Sequence, residues 1–523
     1  MDSESLHQAM LRPETYPAAE GPIEFRETHI SRLYLTARDV YKVKKPFDFG
    51  FLDFTTLCRR RFYCEEEVRL NRRFAPDTYL DVAEIRRTSA GLRIGGHGET
   101  IEYAVHMRRL PQEAMLDSRL AASDPALPAE MERLGRRLAE LHAQSPVCRE
   151  TGGRRNLEVV RGNWRENFEQ MLPFANTLLS SRAHDFLRMF VDRFLASNAA
   201  LLLQREEEGF VRDGHGDLHA EHICLTEPIR IYDCIEFNRR FRIADIAADL
   251  AFILMDLDFR RRRDLASRLR HAYSAHGPKD SALDLLLPFY MVYRAFVRGK
   301  VESFLAEDRG AASSTRQEAA TRARNYFNLA LGYLCPPLLI LIGGLMGTGK
   351  STVAAALAAA LGAPLLRADA IRKEIAGELA SSGSSAAFHT GIYAPEFSNR
   401  TYDLLLQKTR EAAAGGETVI VDASFAQHRQ RERFREVARQ LGIPCFLAIT
   451  SCDRETALHR LDQRQASGQD VSDGRRQLFD SQAAIFDPVA EEESALVIDT
   501  LQCVDYNVQS LLCEFISRAG MHR

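Results

Sequence analysis

The stretch LLILIGGLMGTGKSTVAAAL, residues 338–357, decides the fold of its half of the chain. The apolar run LLILI leads into Gly344, Leu345, Met346, Gly347, Thr348, Gly349, Lys350 and Ser351, and an alanine-rich helix former follows from Thr352. This is GxxxxGK[ST] at a strand-to-helix junction, the pattern of a phosphate-binding loop. Glycines let the backbone curl around phosphate oxygens with its N–H groups turned inward, and Lys350 supplies a mobile positive charge. Ser351 is placed to ligate Mg²⁺. Gly344 to Thr352 are therefore the candidate nucleotide-binding residues.

Further along, strand-like runs (APLL, TVIVDASF, PCFLAIT, ALVIDT) alternate with helical stretches, the pattern of a parallel sheet wrapped by helices. RADAIRKEIAG follows APLL and puts Asp369 at a strand's carboxyl end, where α/β sheets bind ligands and a carboxylate can accept a hydroxyl proton. Arg372 shares its helix face. TVIVD ends in Asp422, a second carboxylate suited to Mg²⁺ or its waters. In RETALHRLDQRQASGQDVSDGRR, Arg460 and Arg464 lie four apart on one helix face, and Arg475 and Arg476 follow a Gly/Ser/Asp-containing loop. Arginine fits phosphate bidentately and stabilises charge on a transferring phosphoryl group, so the segment reads as a mobile lid. Over about residues 337–500 these features resemble the P-loop kinases related to polynucleotide kinase and zeta toxins. The resemblance implies an acceptor-side base at Asp369 and lid roles for Arg460 and Arg464.

The first half carries a different signature. DGHGDLHAEHICLTEPIRIYDCIEF contains His215-Gly216-Asp217, then His222, then Asp233 at the end of the apolar strand IRIYD. Two carboxylates on two short strands can divide the labour of phosphoryl transfer, one facing the acceptor hydroxyl and one a metal ion. The segment resembles the aminoglycoside phosphotransferase family, whose catalytic loop reads HGDxxxxN. That resemblance, over roughly residues 20–300, implies Asp217 as base and Asp233 as Mg²⁺ ligand. His222 occupies the family's metal-binding Asn position, and imidazole is a poorer partner than an amide oxygen for a hard cation. Upstream, Asp39 to Lys45 (DVYKVKK) predicts a strand with Lys42 and Lys44 on one face, and Cys64 to Val68 (CEEEV) opens a predicted helix. A strand lysine paired to a helix glutamate positions ATP phosphates in kinases. The family's pattern favours Lys42, with Lys44 as the alternative; Glu65, Glu66 and Glu67 all remain open as partner. Thr28 to Ser31 predicts a hairpin over the nucleotide.

At 523 residues two or three domains are expected, and Cys335-Pro336-Pro337 ends a long helical stretch. The boundary predicted there separates residues 1–335, a protein-kinase-like two-lobed α+β domain, from 336–523, a P-loop NTPase parallel α/β sheet. Lys plus Arg total 69 against 72 for Asp plus Glu, so no bulk charge draws the chain to nucleic acid or acidic membrane. The start, MDSESLHQAM, lacks a secretory pattern, and no run reaches the roughly 20 apolar residues of a membrane span. Ten scattered cysteines without CxxC spacing suit free thiols in the cytoplasm. The expectation is a cytoplasmic kinase with two ATP and Mg²⁺ sites and a small-molecule hydroxyl as acceptor; no obligate protein partner is inferred. Two alternatives stand beside it: a degenerate, regulatory N-terminal half, or a polynucleotide or zeta toxin-type kinase at the C-terminal end. The arginines at 239, 240, 242 and 260–263 make a small anionic or sugar-like acceptor easier to accommodate than a polycation, with a solvated basic helix face as the equal alternative, so the acceptor is left unnamed.

Overall fold

A computed structural model describes residues 3–17, 21–48, 50, 52–151, 153–381, 395–467 and 479–520. They form two compact units, residues 1–164 with 194–294, and residues 165–193 with 295–523.

The first unit opens with an antiparallel sheet of β1 (Glu24–Glu27), β2 (Ser31–Leu35), β3 (Asp39–Lys44), β4 (Tyr79–Thr88), β5 (Gly91–Ile94) and β6 (Glu99–Arg108), in the order β1-β2-β3-β6-β4-β5. Alternation along β3 sends Tyr41 and Val43 to one face, into a core with Tyr34, Ile85 and Ala104. Val40 goes to the other, where it packs with Cys64 and Val68 of the helix Leu57–Asn71. That second face also carries Lys42 and Lys44. The helix begins seven residues before the predicted start at Cys64, because the Thr56 side chain caps it by accepting from the Arg59 amide. Thr28 to Ser31 forms the predicted turn between β1 and β2, closed by the Thr28 amide on the Ser31 carbonyl at 2.9 Å.

The rest of this unit is helical apart from two short antiparallel pairs. β7 (Val211–Asp213) pairs with β10 (Ile243–Asp245), and β8 (Ile223–Cys224) pairs with β9 (Arg230–Ile231). The helix Ile246–Phe259 is buried along nearly its whole length. Its residues Asp249 and Asp256, two turns apart, reach the loop after β7. Asp249 accepts the amides of His215 (2.6 Å) and Gly216 (2.9 Å), and Asp256 accepts that of Ala220 (2.9 Å). The loop's backbone is thus satisfied by carboxylates on a rigid helix.

In the second unit β11 (Leu339–Gly343), β12 (Leu365–Arg367), β13 (Val419–Asp422), β14 (Cys445–Ser451) and β15 (Leu496–Asp499) form an all-parallel sheet, ordered β12-β13-β11-β14-β15. The central strand β11 is buried at every residue, as a parallel strand covered on both faces must be. The helix Ser313–Gly332 packs on Lys350–Leu361 and on Val504–Ala519.

A buried ion pair locks the loop that follows β13. Arg431 and Glu493, both fully buried, meet in a fork of 2.7 and 2.9 Å, and Arg431 also donates to the Phe425 carbonyl at 2.9 Å. Burial raises the Glu493 carboxyl, but hydrogen bonds from Arg431 and the Ala490 amide outweigh it and hold it down at about 2, against an ordinary value near 4.5. A depressed carboxylate contributes stability that is present above its unfolded value and lost as pH falls through the folded one. Stability of the second unit is therefore expected to decline between about pH 4.5 and 2 through this group. Glu493→Gln, which leaves Arg431 without its charge partner, should lose about 3–5 kcal/mol at neutral pH and lack this acid-limb component. Denaturant unfolding across that pH range measures both.

Candidate active sites

In the first unit, the helix face of β3 meets the loop after β9. Lys42 Nζ lies 2.9 Å from Glu67 Oε1 and 2.5 Å from Asp233 Oδ1. Lys44 Nζ donates to Glu67 Oε2 at 2.6 Å and to Glu236. Both lysines therefore share one glutamate, and of the three candidates it is Glu67, fully buried; Glu65 pairs with Arg61 and Glu66 with Arg69 on the exposed face. Burial pushes the Lys42 ammonium down, yet Asp233, Glu67 and Glu236 outweigh it and hold it well above an ordinary lysine. Burial likewise raises the Glu67 carboxyl, and Lys42 and Lys44 bring it below its ordinary value. Glu236 goes the other way, raised by burial more than Lys44 lowers it.

Asp233 lies two residues beyond β9, past the strand end predicted for it, with a left-handed backbone at φ +63°. Such a conformation is costly for a residue with a side chain. It is held by the Tyr79 hydroxyl on the Asp233 amide at 3.0 Å and by Asn71 on the next amide at 2.8 Å. Asp217 and Asp233 face one another across His222: His222 Nδ1 is 3.6 Å from Asp217 Oδ2, and His222 Nε2 is 3.8 Å from Asp233 Oδ2. A buried residue that the motif reading passed over, His219, also reaches this point, with Nε2 3.5 Å from Asp217 Oδ2. Its signal was present in the sequence as the three-residue spacing from His222. His215 faces away, its Nε2 2.9 Å from the Tyr232 carbonyl, and burial pushes its imidazole down to about 4. The donors here are a mixture of carboxylates and imidazoles, a set that does not match the all-oxygen preference of Mg²⁺.

The arginines that leaned the acceptor toward anions are largely spent on structure. Arg242, buried, pairs with Asp213 at 2.5 Å and caps the Ile235 carbonyl at 2.7 Å. Arg260 sits on Asp256, Arg262 on Asp264 and Arg263 by Asp258.

In the second unit, the loop leaves β11 with φ +134° at Gly344, +79° at Gly347 and +86° at Gly349. A Cβ at Gly344 would lie 2.6 Å from Thr450 Oγ1, and one at Gly347 would lie 2.5 Å from the Ala457 carbonyl, so both backbone angle and space demand glycine. Leu345 and Met346 pack with Leu458 and Leu461, the Met346 amide donates to Gln482 at 2.7 Å, and Thr348 Oγ1 bonds Thr450 Oγ1 at 2.7 Å. Ser351 Oγ donates to Asp422 Oδ2 at 2.6 Å, and Arg367 lies 3.4 Å from the same oxygen. These are oxygen donors of the kind Mg²⁺ takes. Lys350 Nζ donates to the Leu345 carbonyl at 2.8 Å; burial pushes its ammonium down, and Asp422 and Asp369 draw it only part of the way back. Asp369 stands in the first turn after β12, 3.4 Å from Arg372. Beside Gly349 and Thr352 opens a cavity of ≈660 Å³ lined by Arg460, Gln463, Arg464 and Thr500. Arg460 is held there by Thr500, at 3.0 Å to its hydroxyl and 2.9 Å to its carbonyl. Arg475 and Arg476 lie outside the described residues.

Fold and sites define a chain of two kinase-type domains. Residues 60–285 match the model of the phosphotransferase enzyme family, and residues 339–489 match that of an AAA domain. The chain belongs to the same family as the uncharacterized protein Rv2004c of Mycobacterium tuberculosis, to which it is 32% identical over 432 residues, 81% of this chain and 83% of that one. The uncharacterized protein Mb2027c of Mycobacterium bovis matches with the same figures. Among solved structures, a choline/ethanolamine kinase family protein from Mesorhizobium loti is similar at 14% identity, covering 62% of this chain and 94% of its own (TM-score 0.38). A gluconokinase from Sinorhizobium meliloti is similar at 21% identity, covering 35% and 94% (TM-score 0.27). The chain is thus of the phosphotransferase class, and among its described residues no helix is long and apolar enough to cross a membrane.

The sharing of Glu67 by two buried ammoniums separates it from its neighbours. Glu67→Gln leaves Lys42 on Asp233 and Lys44 on Glu236, so it should cost about 1–3 kcal/mol in denaturant unfolding through weakened buried hydrogen bonds, and Glu65→Gln, an exposed pair, no more than about 1 kcal/mol.

Proposed function

We propose that the chain is a cytoplasmic ATP-dependent kinase with a nucleotide site in each unit, transferring the γ-phosphoryl group to the hydroxyl of a small molecule. The observation that carries the reading is the Ser351 hydroxyl held on Asp422 at 2.6 Å beneath a loop of three positive-φ glycines. In the second unit the loop amides and Lys350 take the β- and γ-phosphates. Ser351 and Asp422 would hold Mg²⁺, which when bound neutralises charge on the phosphate oxygens. The cavity beside Gly349 and Thr352, with Gln463, Thr500 and Asn507 in its lining, would take the nucleoside. Asp369, with Arg372 beside it, accepts the acceptor's hydroxyl proton, and Arg460 and Arg464 face the transferring group. In the first unit Lys42, set by Glu67, takes the nucleotide phosphates, Asp217 is the base, and Asp233 with His222 forms the cation side. The overall charge of −3 favours a small acceptor over a polynucleotide in the second unit, which a zeta toxin-like reading would also satisfy. Ten free cysteines fit a reducing compartment.

One observation favours a second reading of the first unit. Lys42 is tied to Asp233 as well as Glu67, so the phosphate lysine and the metal-side carboxylate neutralise each other. A unit of that kind suits nucleotide sensing over one working P-loop kinase.

Transfer from γ-labelled ATP to a library of sugars, polyols and amino alcohols separates these readings. Lys350→Ala in the full chain should lower phosphate transfer about 10²–10³-fold, the scale of losing one group that stabilises transition-state charge. Asp217→Ala should abolish transfer to one acceptor class under the two-kinase reading and leave every acceptor phosphorylated under the sensing one. Unchanged transfer in both variants would sink the assignments together.

A further inference from the structure

The imidazole-rich cluster of the first unit is built for a different cation from the one the fold class suggests. Asp217, His219 and His222 each bring one ligand atom within 4.8 Å of the others, and among the described residues no other trio of His, Cys, Asp or Glu does so. Around a cation bonded to N and O donors at about 2.1 Å, tetrahedral neighbours lie roughly 3.4 Å apart. The 3.5 Å from His219 Nε2 to Asp217 Oδ2 approaches that spacing, and His222 Nε2 separately lies 3.8 Å from Asp233 Oδ2.

The surroundings orient these groups as supporting residues orient metal ligands. His222 Nδ1 is 2.9 Å from the Asp217 carbonyl, a bond that places the proton on Nδ1 and leaves the Nε2 lone pair on the Asp233 side. The His219 and His222 rings lie with centroids 4.1 Å apart. Asp233 divides its oxygens, Oδ1 to Lys42 and Oδ2 toward His222. The loop carrying Asp217 and His219 is pinned at His215, Gly216 and Ala220 by Asp249 and Asp256, so the donors are presented by backbone that cannot drift. Two imidazoles among carboxylates disfavour Mg²⁺, which takes oxygen, and suit zinc and its neighbours.

We infer that Asp217, His219 and His222, with Asp233 alongside, form a site for a divalent transition metal of the zinc and cobalt class. This goes beyond the reading above and does not require the first unit to transfer phosphate. It also commits an oxygen of Asp217 to the cation, which weakens it as a base and fits the sensing role of that unit.

The test is metal binding by the full chain, stripped with chelator and free of nucleotide, titrated with Zn²⁺ and with Co²⁺. The expected result is one equivalent per chain by elemental analysis, a Co²⁺ visible spectrum of low-symmetry N/O ligation, and no competition from millimolar Mg²⁺. His219→Ala and His222→Ala should each weaken binding at least about 10–100-fold, the loss seen when only the groups supporting a ligand are removed. His222→Asn should shift preference toward Mg²⁺, and Lys350→Ala should leave the metal bound. Wild-type chain that binds neither ion, or binding that both histidine variants retain, overturns the proposal. Nucleotide binding measured on the same samples reports on the kinase reading separately, so one can fail without the other.

Discussion

A charge taken out of water must meet an opposite charge or several hydrogen bonds, and the interior of each unit is arranged around that constraint. In the first unit two lysines and Glu67 are buried together, and their neutralisation by Asp233 and Glu236 ties β3 and the helix Leu57–Asn71 to the loop after β9. In the second, Arg431 and Glu493 do the same for the loop behind Asp422. Neither network is strong evidence of net stability, since apolar side chains could fill such space. What each provides is position: Glu67 bridges the two lysines, and Arg431 without Glu493 would be a stranded charge.

The same constraint explains how short loops come to hold chemistry. The segment His215 to His222 has almost no regular structure, and its amides would be orphaned without Asp249 and Asp256 reaching up from the helix Ile246–Phe259. Two of this helix's buried acids, Asp249 and Asp256, complete a backbone that the loop cannot complete itself. The phosphate loop uses the opposite device. Its glycines remove side chains where Thr450 and Ala457 crowd the turn, so the backbone can curl with positive φ at Gly344, Gly347 and Gly349.

Local patterns carried much of this into the sequence. The loop Gly344 to Ser351, the strand ends at Asp369 and Asp422, the five parallel strands and the paired faces of Lys42 and Lys44 were all legible, because each depends on spacing over a few residues: strand alternation, helix period or glycine at a turn. The helix start at Thr56 was missed because one capping threonine is a weaker signal than a run of glutamates. The arginines from 239 to 263 made an anionic acceptor look easier to accommodate because their carboxylate partners at 213 and 256–264 could be assigned only once the chain was folded.

The sequence by itself determined the two domain classes, since the motifs that mark them rest on short-range chemistry. Tertiary structure alone decided that Glu67 and not its neighbours meets both lysines, and that Asp233 closes on Lys42. These are contacts between segments up to 191 residues apart, and local spacing carries no information about which side chains a long chain brings to the same point.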